Sequence, residues 1–291
     1  MPTPYLNHSD HGFSPAGRSH QLSARLPVTL TFTSPMQKEK SVLKKAMMSV
    51  SLTVVAAVSI LIPCIAASPV KLNKVAPVAD LVAEAEAKIK ALETALATSD
   101  SYGAGAERAI PDDAAVLAVL SQAIAEHEEK AAWKASAPDL REAAKALANS
   151  TSYDAAKKAF ADAKAAHGGK AGSAKKDDDW AKLAKLGSVM NEVNKRNSSI
   201  RTGLRKADSD SEQLARSASV LAVLALVTHE DTHEVKKKED TPKWKALAAD
   251  MQASMSGVAA SLKKKDTAAA KDAFSKAGKS CNDCHDQFRD N

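Results

Sequence analysis

Cys281-Asn282-Asp283-Cys284-His285 is the segment of this chain whose residue types and spacing point most directly to one chemistry. Thiols at positions i and i+3 of a helix share a face. Both can therefore reach one edge of a flat porphyrin and add across its two vinyl groups. The adjacent imidazole is then placed under the iron as an axial ligand. Cys-x-x-Cys-His is the c-type haem attachment signature. The competing readings are a small-loop disulfide, or half of a zinc site that happens to precede His. The chain has three Cys, and the third, Cys64, falls in an apolar N-terminal segment. No further thiol is then left to complete a four-ligand zinc site. The expected cofactor is haem c, one per chain, held covalently by Cys281 and Cys284, with His285 as the iron ligand.

A second constellation competes for the function. His229-Glu230-Asp231-Thr232-His233 fits H-E-x-x-H, in which two His on one helix face hold zinc and Glu acts as general base. No third ligand follows at a recognisable spacing, and the segment lies beside a lysine-rich turn. A His near a helix C-terminus is also favoured by the macrodipole. A metal-binding module or zinc hydrolase at His229, Glu230 and His233 is the alternative to the haem reading.

The elements that must position these groups are helices. Aromatic residues are 4% of the 291, and β-branched residues are scarce in the C-terminal two-thirds, where Ala, Lys, Asp, Glu and Leu dominate. That composition excludes an all-β or α/β protein and favours an all-α one. The formal charge of +6 sits mostly in residues 1–67, which hold six basic side chains against two acidic ones. No basic stripe with interleaved aromatics appears, so no nucleic-acid partner is expected. Lys38, Lys40, Lys44 and Lys45 precede an apolar run from Ala46 to Ala67, the pattern of a secretory signal. Residues 1–35 ahead of it read as an unstructured lead or a misplaced start. A retained anchor, or lipid attachment at Cys64, is the lesser reading, since Pro63 makes Cys64 a poor lipid site. Export to the periplasm, with no stable membrane anchor, is the expectation.

After the signal the sequence repeats. Val116-Leu117-Ala118-Val119-Leu120 recurs as Val220-Leu221-Ala222-Val223-Leu224, and Pro138 recurs as Pro242 at the same offset. Lys158-Ala159-Phe160 matches Asp272-Ala273-Phe274 at an offset larger by ten, so the third helix of the second copy is about three turns longer. The reading is two tandem antiparallel four-helix bundles. A lead and signal occupy 1–67, a haem-less bundle 76–167, a flexible linker 168–177 and a haem bundle 178–291. In the second copy the first helix is expected from Asp178 to Lys206, with Leu183, Leu186, Met190, Val193 and Asn197 on one face. The second helix runs to about Val235, the third starts at Thr241-Pro242 and the fourth at Asp266-Thr267. In the first copy Ser99 to Pro111 is a longer loop. The face of the last helix, with Phe274, Gly278, Cys281, His285 and Phe288 at steps of four, three, four and three, fits a pocket. A missing side chain at Gly278 leaves room for a porphyrin.

Residues Lys265 to Arg289 resemble the cytochrome c prime family, through Asp266, the pair Ala273-Phe274, Ala277-Gly278-x-Ser280-Cys281-x-x-Cys284-His285 and Phe288-Arg289. Weaker similarity extends over 178–264 through Trp244. The resemblance implies a periplasmic four-helix-bundle haem protein that is not an enzyme. Its partners are diatomic gases, nitric oxide and carbon monoxide, or small redox proteins. It implies a five-coordinate iron, with a hydrophobic residue of the first helix screening the distal face and Arg289 as the basic residue beside the proximal side. The family's first-helix Arg has no clear match, because Leu183 and Leu186 hold the plausible positions. Met190, the only Met on that helix, is the expected distal residue, either packing over the iron or ligating it; Met251 and Met255 are lesser candidates. The first copy has His167 where Cys281 stands and is expected to bind no covalent haem. It is expected to replace a partner subunit, giving a monomer with an internal pseudo-dimer; a homodimer is the other possibility.

Overall fold

A computed structural model describes residues 70–206 and 208–289. The expected signal segment, 1–67, lies outside the described residues. Among the described residues all regular structure is helical: α1 Val78–Ala95, α2 Ser99–Gly105, α3 Ala109–Glu126, α4 Ala137–Ala148, α5 Tyr153–His167, α6 Leu186–Gly203, α7 Ser211–Glu230, α8 Thr241–Lys263 and α9 Thr267–Phe288, with one-turn 3-10 helices between some of them. Among the described residues no helix is long and apolar enough to cross a membrane.

The repeated Val-Leu-Ala-Val-Leu run explains the centre of the molecule. Five apolar residues in succession cover every side of a helix, so that helix must be enclosed all round. Leu117 to Leu120 and Val220 to Leu224 are all fully buried, in α3 and α7. Each enclosed leucine contributes roughly 2 kcal/mol of burial. The other long helices are amphipathic and wrap these two. α3 packs on α1 and α4, and α4 on α5; α7 packs on α6 and α8, and α8 on α9. The long helices thus form a first set (α1, α3, α4, α5) and a second set (α6 to α9), each joined mostly by short turns. The turns are capped by side chains: Ser152, Asp210 and Asp266 each accept a backbone N–H of the helix that follows. α8 has 23 residues against 12 in α4, the three extra turns that the repeat offset implies.

Three expected boundaries are corrected. Ser99 to Pro111 is not simply a loop: it holds α2, capped by Thr98, and Pro111 lies in the first turn of α3, where its missing N–H costs nothing. The helix expected from Asp178 begins only at Leu186. Trp180, buried in a one-turn 3-10 helix at Trp180–Lys182, donates its indole N–H to Glu126, and the chain extends at Lys185 before α6 starts. The helix expected to reach Val235 ends at Glu230, because Asp231 turns to extended backbone.

Residues 168–177 are tied to the first set. Asp139 accepts the N–H groups of Gly172 and Ala174, and Arg141 donates to the carbonyls of Lys175 and Lys176. A side chain at position 172 would collide with the Asp139 carboxylate. Gly169, at φ +91°, takes the left-handed turn that leaves α5.

The two sets share one apolar core. α3 meets α6, and α1 meets α7, so the first helix of each set lies against the second helix of the other. Charges follow the same exchange. Lys88 pairs with Glu192 at 2.9 Å, and Arg196 pairs with Glu84 at 2.6 Å. Glu84 and Lys88 lie 108 residues before Glu192 and Arg196, the same interval that separates the starts of α1 and α6, Val78 and Leu186. Each set therefore offers an acid and a base one turn apart, and each receives the other's. Such reciprocal pairing is the mark of a two-fold interface between like units.

Candidate haem-binding site

α9 is oriented by its small residues. Ala270, Ala277 and Ser280 are buried against α8, and Ser280 donates its hydroxyl to the Leu247 carbonyl at 2.5 Å. The same inward face continues along α9 as a stripe that carries Cys281, Cys284 and Phe288, at steps of four, three and four from Ala277, with His285 at its edge.

The stripe faces a cleft on the side of α6. Two cavities of about 220 and 430 Å³ share Met190, Asn194, Thr228, Cys284 and His285, so they are two ends of one cleft. Both volumes fall in or near the range of cofactor sites. The smaller end adds Cys281, Leu247, Ala248 and Met251; the larger adds His233, Trp244, Phe288 and Arg289. Phe288 meets the Trp244 ring edge-on at 5.2 Å, and the Trp244 N–H is held by the Thr228 carbonyl at 2.6 Å. Those contacts fix the wall beside His285.

The thiols are free and half-buried. Burial pushes both above the ordinary thiol value, Cys284 to about 11, with the neighbouring Cys281 adding to the rise there. They are thus kept as neutral thiols, separated from solvent on one side and open to the cleft on the other. His285 is exposed within the cleft; its carbonyl accepts the Arg289 N–H at 3.1 Å, which leaves the imidazole to the cleft. Two thiols on one helix face, an imidazole next to them and the apolar side chains of Met190, Val193, Leu247 and Met251 around the cleft suit a covalently attached porphyrin. The residues present fit haem. In the first set α5 meets α1, with Lys164 paired to Glu93 at 2.5 Å on the surface. His167, which replaces the first Cys, instead packs on Trp133 at 5.4 Å.

Of the expected site residues, the cleft brings together Cys281, Cys284, His285, Met190, Phe288 and Arg289. It does not bring in Phe274 or Gly278. Phe274 packs on the general core, and a Cβ at Gly278 would meet nothing within 4 Å. Met251 lines the cleft, whereas Met255 is in the core. Leu183 precedes α6 and is buried, outside both cavities. The sequence reading missed Asn194 and Arg201. With Met190 and Asn197 they form a stripe on α6 at steps of four, three and four, but three of the four are polar and read as a solvated face.

The alternative metal site is overturned. His229 is in the last turn of α7, and His233 lies beyond the break at Asp231, so they do not share a helix face. Each is engaged locally: His229 with Glu230 at 2.7 Å, and His233 with Asp231 at 2.6 Å. Glu230, the would-be base, pairs with Lys245 at 3.1 Å. Among the described residues no group of three or more His, Cys, Asp or Glu could hold a metal ion.

Residues 183–289 match the family described as Cytochrome C'. This part of the chain is similar to that family. It spans α6 to α9 and contains every residue of the cleft, while α1 to α5 lie outside the match. The match and the Cys-x-x-Cys-His motif both point to a c-type haem protein. No curated protein and no solved structure gives a significant match to the chain.

Proposed function

We propose that this chain is an exported, periplasmic cytochrome that carries one covalent haem and binds a diatomic gas, nitric oxide or carbon monoxide, at a five-coordinate iron. Binding or electron transfer, rather than catalysis, is its role. The observation that carries this reading is the meeting of Cys281, Cys284 and His285 with Met190 in one cleft between α9 and α6. When bound, haem supplies an iron centre that takes up small ligands and can change oxidation state. Cys281 and Cys284 would hold it covalently, and His285, on the cleft side of α9, would supply the imidazole ligand to its iron. Met190 and Val193 narrow the space on α6, and Met251 closes it on α8. Arg289, at the end of α9, lies at the wide end, together with His233 and Glu234, which pair at 3.0 Å. The His233 imidazole donates to the Asp231 carboxylate, which holds it above its usual range.

The test is a spectrum. Soret absorption that survives acid-acetone extraction, with a c-type pyridine haemochrome at one haem per chain, is expected. Nitric oxide added to the ferrous protein should shift its bands. A protein whose haem extracts freely, or takes up no haem, refutes the proposal.

The proposed assembly is a monomer in which the first set of helices occupies the place of a partner subunit. The reciprocal pairs Lys88–Glu192 and Arg196–Glu84 support it.

A further inference from the structure

The cleft depends on a helix that its own set holds on one side only. Within the second set α6 packs on α7, while α9 packs on α8, and the cleft is the space left between α6 and α9. α6 has two working stripes. Met190, Asn194, Asn197 and Arg201 face the cleft. Val189, Glu192, Arg196 and Ile200 are buried on the other side.

That buried stripe is gripped by the first set. Lys88 of α1, only 7% exposed, bonds Asp113 of α3 at 2.5 Å and Glu192 at 2.9 Å. Glu84 of α1 bonds Arg196 at 2.6 Å, and Arg196 also holds Glu192 at 2.6 Å. Asp112 of α3 accepts from Asn191 at 3.0 Å. Burial opposes the charge on Glu192, and Arg196 and Lys88 overcome it, so its carboxyl lies below the usual range. Glu192 is two residues from both Met190 and Asn194. Long-lived buried ion pairs of this kind fix geometry even where their net stabilisation is small.

We infer that Lys88 and Glu84 are positioning residues for the haem cleft: the haem-free set braces α6 from behind and so sets the room left for a small ligand beside Met190. The role of the first set is thus mechanical support of the wall opposite His285. This rests on the haem reading above for its effect on ligands, though not for the bracing itself.

The test uses the full chain. Lys263 provides the control, because it also crosses between the sets, to Asp80 at 2.7 Å, without touching α6. Lys88→Met and Glu84→Gln should each raise amide hydrogen exchange in residues 187–201 by about tenfold or more. In the ferrous haem protein each should change the carbon monoxide association rate by about threefold or more. Lys263→Met should leave both within about twofold, and Lys88→Arg should restore both towards the parent values. If Lys88→Met does not fold, Glu84→Gln, which keeps the side-chain volume, carries the test. Unchanged exchange in Glu84→Gln and Lys88→Met, or an equal effect of Lys263→Met, overturns the bracing. Raised exchange with an unaltered carbon monoxide rate overturns its link to the cleft. A chain without covalent haem that still shows the exchange difference refutes the haem reading and upholds the bracing.

Discussion

At the scale of single residues the thiols carry the first predictions. Changing Cys281 and Cys284 to Ala should abolish covalent haem, because no other described residue is a thiol; pyridine haemochrome of the double variant checks this. In the haem-free protein the raised thiol values make iodoacetamide labelling slow at pH 8. The rate should climb about tenfold per pH unit towards the region of 11, as the thiolate fraction of Cys284 grows. The sign for stability follows from the same shift. A folded-state value above the ordinary 9.0 helps folding below that pH, and the help is lost as pH rises through about 11. The proposed role of Met190 is tested by the spin state. A high-spin ferric protein, with carbon monoxide binding several-fold faster in Met190→Ala, is expected from a side chain that only fills space. A low-spin protein that becomes high-spin in the variant would make Met190 a ligand and move the function to electron transfer. The proposed attachment residues were legible because Cys-x-x-Cys-His is a local pattern. Asn194 and Arg201 were not, because a polar residue on a cleft wall and one in solvent look alike in sequence. H-E-x-x-H misled for the opposite reason: it assumes a helix through Asp231, and the side chain of Asp231 is instead committed to His233 beyond the helix end.

At the scale of helices, the brace on α6 predicts a stability cost. Lys88→Met removes the cation from buried Glu192 and partly exposed Asp113, and should destabilise the fold by about 3 kcal/mol in urea titration. The same network sets an acid limit. Glu192 binds its proton less readily folded than unfolded, so its contribution is present above the ordinary carboxylate range. It is lost as pH falls below about 4.5, which acid titration of far-ultraviolet circular dichroism should show. The turn from α8 to α9 offers the reverse change. Lys265 is held at φ 59°, where only glycine is unstrained, and its N–H closes on the Leu262 carbonyl. Lys265→Gly should raise stability by up to about 1 kcal/mol. Most helices were legible because their caps and apolar spacing agree. The start of α6 was not: the apolar steps run through Leu183, but Trp180 needed a partner for its N–H and found it on Glu126, and the chain bends to let it.

At the scale of the molecule, light scattering should show a monomer, because the face that a second copy would need is already covered by α1 and α3. Residues 178–291 expressed alone should either lose stability or pair with themselves, Glu192 of one copy taking Arg196 of the next. A monomeric fragment as stable as the parent would count against this account of the interface. The repeat itself was readable from Val116–Leu120 and Val220–Leu224, but the partnership of charges was not, since nothing in a sequence says which acid meets which base. Its reciprocity has a historical consequence. A face built so that like units recognise each other is indifferent to what either unit carries elsewhere. One copy could therefore shed its attachment cysteines with no penalty in pairing. Selection on that copy falls instead on the acid and base it presents. Among descendants of the same duplication, position 167 should drift freely, while positions 84 and 88 keep opposite charges, and a lineage that lost those charges should be one that also lost the first set.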